Sequence, residues 1–88
     1  MKNKVLIHLC VPELSVDFDV FIPVSELIWR VEKLLLKSVS DLCNIPINPN
    51  LEYVLMNKDT TRIYKSNEQV IDTDIRNGTE VLLLSKGI

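Results

Sequence analysis

The sequence has few of the residues from which catalytic and cofactor-binding sites are built. Its 88 residues include only two glycines, two cysteines and one histidine. Two glycines cannot form a glycine-rich phosphate loop. Cys10 and Cys43 are far apart and form no CxxC pair, so with His8 they cannot complete a zinc site. We therefore expect no cofactor and no metal, and we expect two reduced thiols that pack as small apolar groups.

Strong charge and long apolar runs are also missing. The formal net charge is −2, and no basic run interleaved with aromatic residues indicates nucleic-acid binding. No apolar stretch approaches the roughly 20 residues that span a bilayer, so no direct membrane insertion is expected. The first residues alternate, are interrupted by His8 and Pro12, and lack a small-residue cleavage site. This favours a first strand over a signal peptide and predicts a cytoplasmic protein.

No group of side chains has the spacing of a catalytic site. His8 has no Ser or Asp at a recognisable spacing, and Asp17 and Asp19 alternate with apolar residues, as on the wet face of a strand. We therefore predict that the protein is not an enzyme.

The apolar content, 47%, suffices for one core. We predict a single domain over residues 1–88, with its core from about 4 to 84. The longest helical pattern is Pro23–Leu42, with Pro23 at the first helical position and a cap from Ser25 or the residue before Pro23. We expect the helix to stop at Asn44, before Pro46. Its apolar stripe is Val24, Leu27, Ile28, Val31, Leu35 and Leu42, flanked by Leu34 and Val39.

Alternating runs on both sides of this helix predict strands. They are Lys4–Val11, Ser15–Ile22, Leu51–Met56, the short Arg62–Tyr64, and Thr79–Leu84. Val70–Arg76 is expected to be a tight turn or a short helical segment with Val70 and Ile75 inward, and Asn77-Gly78 is a strong turn signal. The order ββαβββ predicts an α+β fold, with one helix on a mixed sheet of four to five strands and the last strand parallel to the first.

This layout resembles the β-grasp fold of ubiquitin over nearly the whole chain. The likeness is most specific in the last third, where Val70, Ile75, Gly78 and the pair Val81 and Leu83 follow the ubiquitin-like spacing. A conjugated modifier or sulfur carrier of this fold needs a terminal Gly-Gly, because any Cβ there would obstruct close backbone approach. This sequence ends Lys86-Gly87-Ile88. We predict no conjugation; a modifier or sulfur carrier, or a ubiquitin-like domain of a larger protein, is the alternative.

Within that group the sequence is similar to the small YukD/EsaB proteins of bacterial type VII secretion systems. Pro23–Ile28, Leu55–Lys58 and Val70–Gly78 carry the likeness, and the turn after Met56 is about two residues longer here. The resemblance implies a non-catalytic adaptor that binds a protein of the secretion machinery. It also implies a cytoplasmic protein that a partner recruits to the inner face of the membrane.

Two apolar surfaces are candidates for binding that partner. Strand alternation turns Leu6, Val54, Met56, Leu82 and Leu84 away from the helix, and helical spacing puts Trp29, Leu36 and Cys43 opposite Val31. The alternatives are that strand propensity alone explains the first set, and that the loop Ile45–Asn50 or the amino terminus covers Trp29. A homodimer through these surfaces is a further alternative.

Overall fold

The computed structural model describes residues 3–46 and 51–86, where one helix packs on a four-stranded sheet. The elements are β1 (Lys4–Val11), β2 (Val16–Pro23), α1 (Ile28–Cys43), β3 (Tyr53–Asn57) and β4 (Glu80–Ser85), with 3₁₀ turns at Pro12–Leu14 and Val70–Asp72. Gly87 and Ile88, and most of the loop Ile45–Asn50, lie outside the described residues.

The strand order in the sheet is β2-β1-β4-β3. β1 pairs antiparallel with β2 and parallel with β4, and β4 pairs antiparallel with β3. This confirms the predicted α+β arrangement, with the last strand central and parallel to the first. The central position explains the unbroken apolar run of β4, since the strand is paired on both edges and covered by α1 on one face.

The predicted strand Arg62–Tyr64 is reduced to one isolated bridge, between Met56 and Ile63. A tight turn returns the chain to β3, with Thr61 at a φ of 60°. The chain then turns away from the sheet toward α1. There the Ser66 carbonyl accepts a hydrogen bond from the backbone N–H of Trp29 (3.1 Å). Within the described residues the sheet therefore has four strands, the lower of the two predicted numbers.

The helix begins five residues later than predicted, at Ile28, so the predicted start at Pro23 is wrong. Pro23 is the last residue of β2, and Leu27 is the N-cap without a side-chain hydrogen bond. A segment distant in sequence provides the hydrogen-bond acceptor for the first turn instead: the Ile28 N–H donates to the Glu68 carbonyl at 2.8 Å. A free helix end needs such partners for its first amides, and here the tertiary fold supplies them.

The helix end is confirmed. Asn44 adopts a left-handed conformation with a φ of 55°, and the Ile45 N–H bonds back to the Ser40 carbonyl at 3.1 Å. The predicted stripe is wrong at Leu42, which is 62% exposed. Cys43 packs against the core instead. Val31, Leu35, Val39 and Cys43 follow one another at intervals of four residues and share the core-facing side of the helix. Leu42 therefore lies at the edge of that side.

The core lies between α1 and the inner face of the sheet. Its buried residues are Ile7, Leu9, Val11, Ile22, Ile28, Val31, Leu35, Val39, Leu55, Tyr64, Val70, Ile75, Val81 and Leu83. The predicted inward positions Val70 and Ile75 are confirmed, and Gly78 has a φ of 88°, as its turn requires. The alternation of β1 and β2 is confirmed residue by residue, and the same register fixes the outward face described next.

Candidate protein-binding surfaces

Four half-buried apolar side chains form one patch on the sheet face away from α1. The register places Met56 beside Leu82, and Val54 beside Leu84. All four alternate with residues that point to the core, so they face away from the helix. We call these four residues, Val54, Met56, Leu82 and Leu84, the outer patch. Cys10 extends the outer patch onto β1, where it pairs with Leu82.

Leu6 lies on the same face but apart from the outer patch. Its cross-strand neighbour is Phe21, which is 62% exposed. A polar row crosses the sheet between Leu6 and the outer patch. In this row His8 pairs with Glu80, and the Glu80 carboxylate forms an ion pair with Lys58 at 3.1 Å. The structure therefore brings together four of the five predicted sheet residues and separates the fifth by charged groups.

The polar row ends in a histidine held between two carboxylates. His8 Nδ1 lies 2.7 Å from Asp19, and His8 Nε2 lies 2.8 Å from Asp17. A neutral imidazole can donate from one nitrogen only, so two such bonds require the charged ring. The hydrogen bonds to Asp19 and Asp17 accordingly raise the pKa of His8 above its ordinary value. The cluster adds one negative charge in total to the border of the outer patch.

Substituting His8 with glutamine is expected to cost less stability as the pH rises. Because the folded protein holds the imidazolium proton more tightly than the unfolded chain, the contribution is fully present below the unfolded pKa of 6.5. It is lost as the pH rises through the raised pKa of the folded state. Urea unfolding of both proteins from about pH 5.5 to about pH 9 measures this.

The matched control for this experiment is the double variant Asp17→Asn with Asp19→Asn. In that background the His8→Gln difference should no longer depend on pH, because the ring has lost both carboxylates. A difference that stays constant with pH in the otherwise unchanged protein would contradict the charged clamp.

Two of the three predicted helix residues, Trp29 and Leu36, line an open groove of about 770 Å³ between α1 and β3, and Cys43 does not. Trp29 is 41% exposed in this groove, and Leu36 is half-buried and packs against the core edge. Leu36 and Cys43 were predicted to lie opposite Val31, on the side of the helix away from the core. Both instead pack against the core, nearer the sheet. We call this cleft the helix groove. Its lining is Trp29, Glu32, Lys33, Leu36, Leu51, Glu52, Tyr53, Val54, Ile63, Tyr64, Lys65, Ser66, Asn67 and Lys86.

The helix groove holds one half-buried acid among several lysines. Burial raises the pKa of the Glu32 carboxyl, and the charge of Lys86 opposes that rise. Lys86 forms a 3.5 Å ion pair with Glu52. Lys33 and Lys65 make no ion pair within the described residues. Glu32 makes no ion pair within these residues either, so two unpaired lysines face one unpaired acid and the groove carries a small excess of positive charge.

Residues 3–46 and 51–86 contain no group of three or more histidine, cysteine or acidic side chains placed to bind a metal ion. In the same ranges no helix has the length and hydropathy of a transmembrane segment. Cys10 and Cys43 are both free thiols. Burial raises the pKa of Cys10, which makes that thiol a weaker nucleophile at neutral pH.

The sequence interpretation missed the His8 clamp and part of the helix groove. It judged His8 by its spacing along the chain, whereas the clamp forms across two strands. The predicted hairpin already contained the signal, since pairing Val11 with Val16 places His8 opposite Asp19. The groove wall at Ile63 and Lys65 had no such signal, because it depends on how the segment after β3 docks on α1.

Comparisons with known proteins identify the architecture. No family model matches the sequence, and no curated protein matches it. Among solved structures, the ubiquitin-like domain of EccD5 from Mycobacterium xenopi is 12% identical, with 97% of each chain covered and a TM-score of 0.70. The UBL domain of Plasmodium falciparum Dsk2 is 17% identical, with 94% of this chain and 99% of that chain covered and a TM-score of 0.71.

A larger assembly also contains a similar chain. In the ESX-5 inner membrane complex, a chain that is 12% identical covers 98% of this sequence with a TM-score of 0.71, and the match spans 22% of that chain. At these identities the comparisons establish the fold alone. The protein has the ubiquitin-like β-grasp fold that its sequence predicts.

Proposed function

We propose that the protein is a non-catalytic adaptor that docks on a larger protein complex through the outer patch. The observation that carries the proposal is the outer patch itself, which gathers Val54, Met56, Leu82 and Leu84 on two adjacent strands. Apolar side chains grouped in this way, with a charged border, are typical of protein-binding surfaces. Strand propensity would not by itself group them beside the His8 and Lys58 row.

The proposed complex is the cytoplasmic side of a type VII secretion system. Two observations support this partner class. The stretches Pro23–Ile28, Leu55–Lys58 and Val70–Gly78 resemble YukD/EsaB proteins, and two structures of the same fold come from EccD5 and from an ESX-5 inner membrane complex. In this proposal the protein acts in the cytoplasm and its partner holds it at the inner face of the membrane.

The proposal does not include conjugation to other proteins. The two glycines, Gly78 and Gly87, are not adjacent, so this sequence offers no Gly-Gly for an activating enzyme. Binding rather than chemistry is also consistent with the raised pKa of the Cys10 thiol.

The double variant Val54→Glu with Leu82→Glu is expected to lose the partner while keeping the fold. Two carboxylates in the centre of the outer patch would have to be buried against the partner without counter-ions. Immobilised protein and purified cytoplasmic components of the secretion system provide the binding assay, read as a dissociation constant. We expect affinity to fall by roughly thirtyfold or more, the usual effect of disrupting a central contact.

The matched control is Leu42→Glu with Ile71→Glu, because both side chains are exposed, at 62% and 56%, and lie outside the outer patch. This control should bind as the unmodified protein does. Unchanged affinity of the folded Val54 and Leu82 double variant would eliminate the outer patch as the docking site. Failure of every purified component to bind the unmodified protein would eliminate the secretion assignment.

A further inference from the structure

β3 is an edge strand whose outer side is only half covered by the part of the chain that the structure describes. The backbone N–H and C=O groups of Val54 and Met56, and those of Glu52 and Lys58 just outside the strand, point toward β4, as two bonds show. The Lys86 N–H donates to the Glu52 carbonyl at 2.7 Å, and the Lys58 N–H donates to the Glu80 carbonyl at 3.0 Å. By the alternation of an antiparallel ladder, the backbone groups of Tyr53, Leu55 and Asn57 therefore point to the outer edge.

The chain itself covers the second half of this edge. The Tyr64 N–H donates to the Leu55 carbonyl at 3.0 Å, and the Asn57 N–H donates to the Arg62 carbonyl at 2.8 Å. The cover ends there, since the chain turns toward α1 after Tyr64. Among the described residues, the N–H and the C=O of Tyr53 make no hydrogen bond. With respect to residues 3–46 and 51–86, the short edge at Tyr53 thus offers one donor and one acceptor to another strand.

The helix groove lies directly along this open edge, and its far wall is fixed. Hydrogen bonds tie the start of α1 to the segment after Tyr64: the Trp29 N–H donates to the Ser66 carbonyl, and the Ile28 N–H donates to the Glu68 carbonyl. Arg62 also pairs with Glu68 at 2.8 Å. A groove with a rigid wall costs little ordering when a ligand enters.

The groove combines apolar contacts with unpaired positive charge. Trp29, Leu36 and Ile63 provide apolar surface, and Ile63 is 56% exposed. Lys33 and Lys65 line the same groove and make no ion pair within the described residues, while Lys86 is held by Glu52. Glu32 opposes this positive charge only in part, because its carboxyl is half-buried and lies near Lys86.

We propose that the helix groove binds one extended segment of a partner protein, which pairs through its backbone with Tyr53 in line with residues 62–64. The segment places apolar side chains against Trp29 and Leu36 and an acidic side chain near Lys33 or Lys65. This is strand addition at a sheet edge, in which backbone bonds provide affinity and alternate side chains provide specificity. The site shares Val54 with the outer patch but none of its other three residues. It shares with the proposed function the premise that the protein binds other proteins.

The first test uses two synthetic heptapeptides of alternating valine and threonine, one with a glutamate and one with a lysine at each end. Fluorescence anisotropy should show the glutamate peptide binding about three- to tenfold more tightly, the effect of two exposed ion pairs. The double variant Lys33→Glu with Lys65→Glu should reverse the preference. Lys37→Glu, a charge change on the same helix outside the groove lining, should leave it unchanged.

The second test concerns the backbone and the apolar wall. A glutamate peptide N-methylated at alternate residues cannot donate along one edge, and it should bind about tenfold or more weakly. Trp29→Ala should weaken the unmethylated peptide about tenfold or more, whereas Leu42→Ala should not. Hydrogen exchange should show the Tyr53 amide protected only when peptide is bound.

Several outcomes would overturn the proposal. Equal binding of methylated and unmethylated peptides would exclude backbone pairing, and a preference for the lysine peptide would exclude the acidic ligand. A protein that dimerises on its own, with Tyr53 protected in the dimer and the dimer lost in Trp29→Ala, would show that a second copy fills the groove. The groove tests replace Trp29, Lys33 and Lys65, which lie outside the outer patch, so their failure leaves the outer-patch proposal standing. Because Val54 also lines the groove, Met56→Glu with Leu82→Glu repeats the outer-patch experiment without changing the groove.

Discussion

Replacing Leu35 with alanine is expected to lower the free energy of unfolding by about 2–5 kcal/mol, the usual range for a leucine deleted from a packed core. Leu35 is 1% exposed and lies at the centre of α1, between Val31 and Val39. The small domain has a single core, so neighbouring side chains can close the resulting cavity only in part. Urea denaturation followed by circular dichroism measures the change.

Leu42→Ala is the matched control on the same helix. Leu42 is 62% exposed, so the same deletion there removes little buried surface and should change stability by less than about 0.5 kcal/mol. Similar losses from the two substitutions would mean that the core-facing line does not run from Leu35 through Val39 to Cys43. The pair therefore tests the helix orientation on which the helix groove depends.

Replacing Tyr64 with phenylalanine is expected to cost about 1–3 kcal/mol, although it removes a single oxygen atom. The Tyr64 hydroxyl donates to the Asp74 carboxylate at 2.6 Å and accepts from Asn57 Nδ2 at 3.2 Å. Tyr64 and Asn57 are 2% and 7% exposed, so losing the hydroxyl leaves the Asn57 amide buried without this partner. Tyr53→Phe is the control, since the Tyr53 hydroxyl makes no hydrogen bond within the described residues.

The cost of Tyr64→Phe is expected to shrink in alkaline solution. Burial and the hydrogen bond to Asp74 raise the pKa of Tyr64 from 10.0 to about 12. Because the folded protein keeps this proton where the unfolded chain has lost it, stability falls as the pH rises from about 10 to about 12. The phenylalanine variant lacks this loss, so the two unfolding curves should converge over that range. A constant difference across it would contradict the buried hydroxyl network.

The strands were predictable where alternating apolar and polar residues show which side chains face the core and which face away. In Lys4–Val11 the residues at every second position must be buried, and a shift of one residue would expose all of them. The predicted bounds of this strand match β1, and the inward residues of the hairpin are confirmed. The left-handed Asn44 and the turn at Gly78 were predictable for a similar reason, since each depends on neighbouring residues only.

Features that depend on distant segments were not predictable from local pattern. Pro23 fits a helix start by its own chemistry, yet pairing with β1 keeps it in a strand. The first N–H groups of α1 then donate to the carbonyls of Ser66 and Glu68, and no capping motif in the sequence predicts these bonds. The Arg62–Tyr64 segment has strand-like residues, but its docking toward α1 leaves a single bridge to β3.

The candidate surfaces divide in the same way. Strand alternation and register place Leu82, Leu84 and their neighbours on β3 on the outward face. Alternation and register could both be derived from the sequence. The position of Leu6 beyond the charged row required the actual alignment of β1 with β4. Trp29 was recognised as exposed, but the groove beside it required the position of Ile63 and Lys65.

The placement of β1 next to β4 has a consequence for synthesis on the ribosome. The first and last strands of the chain form the parallel pair at the middle of the sheet, with His8, Leu9 and Cys10 aligned to Glu80, Val81 and Leu82. The β1–β2 hairpin therefore leaves the ribosomal exit tunnel with one side of β1 unpaired. That side closes only after α1, β3 and β4 have been synthesised, so the nascent domain completes its sheet late in its own synthesis.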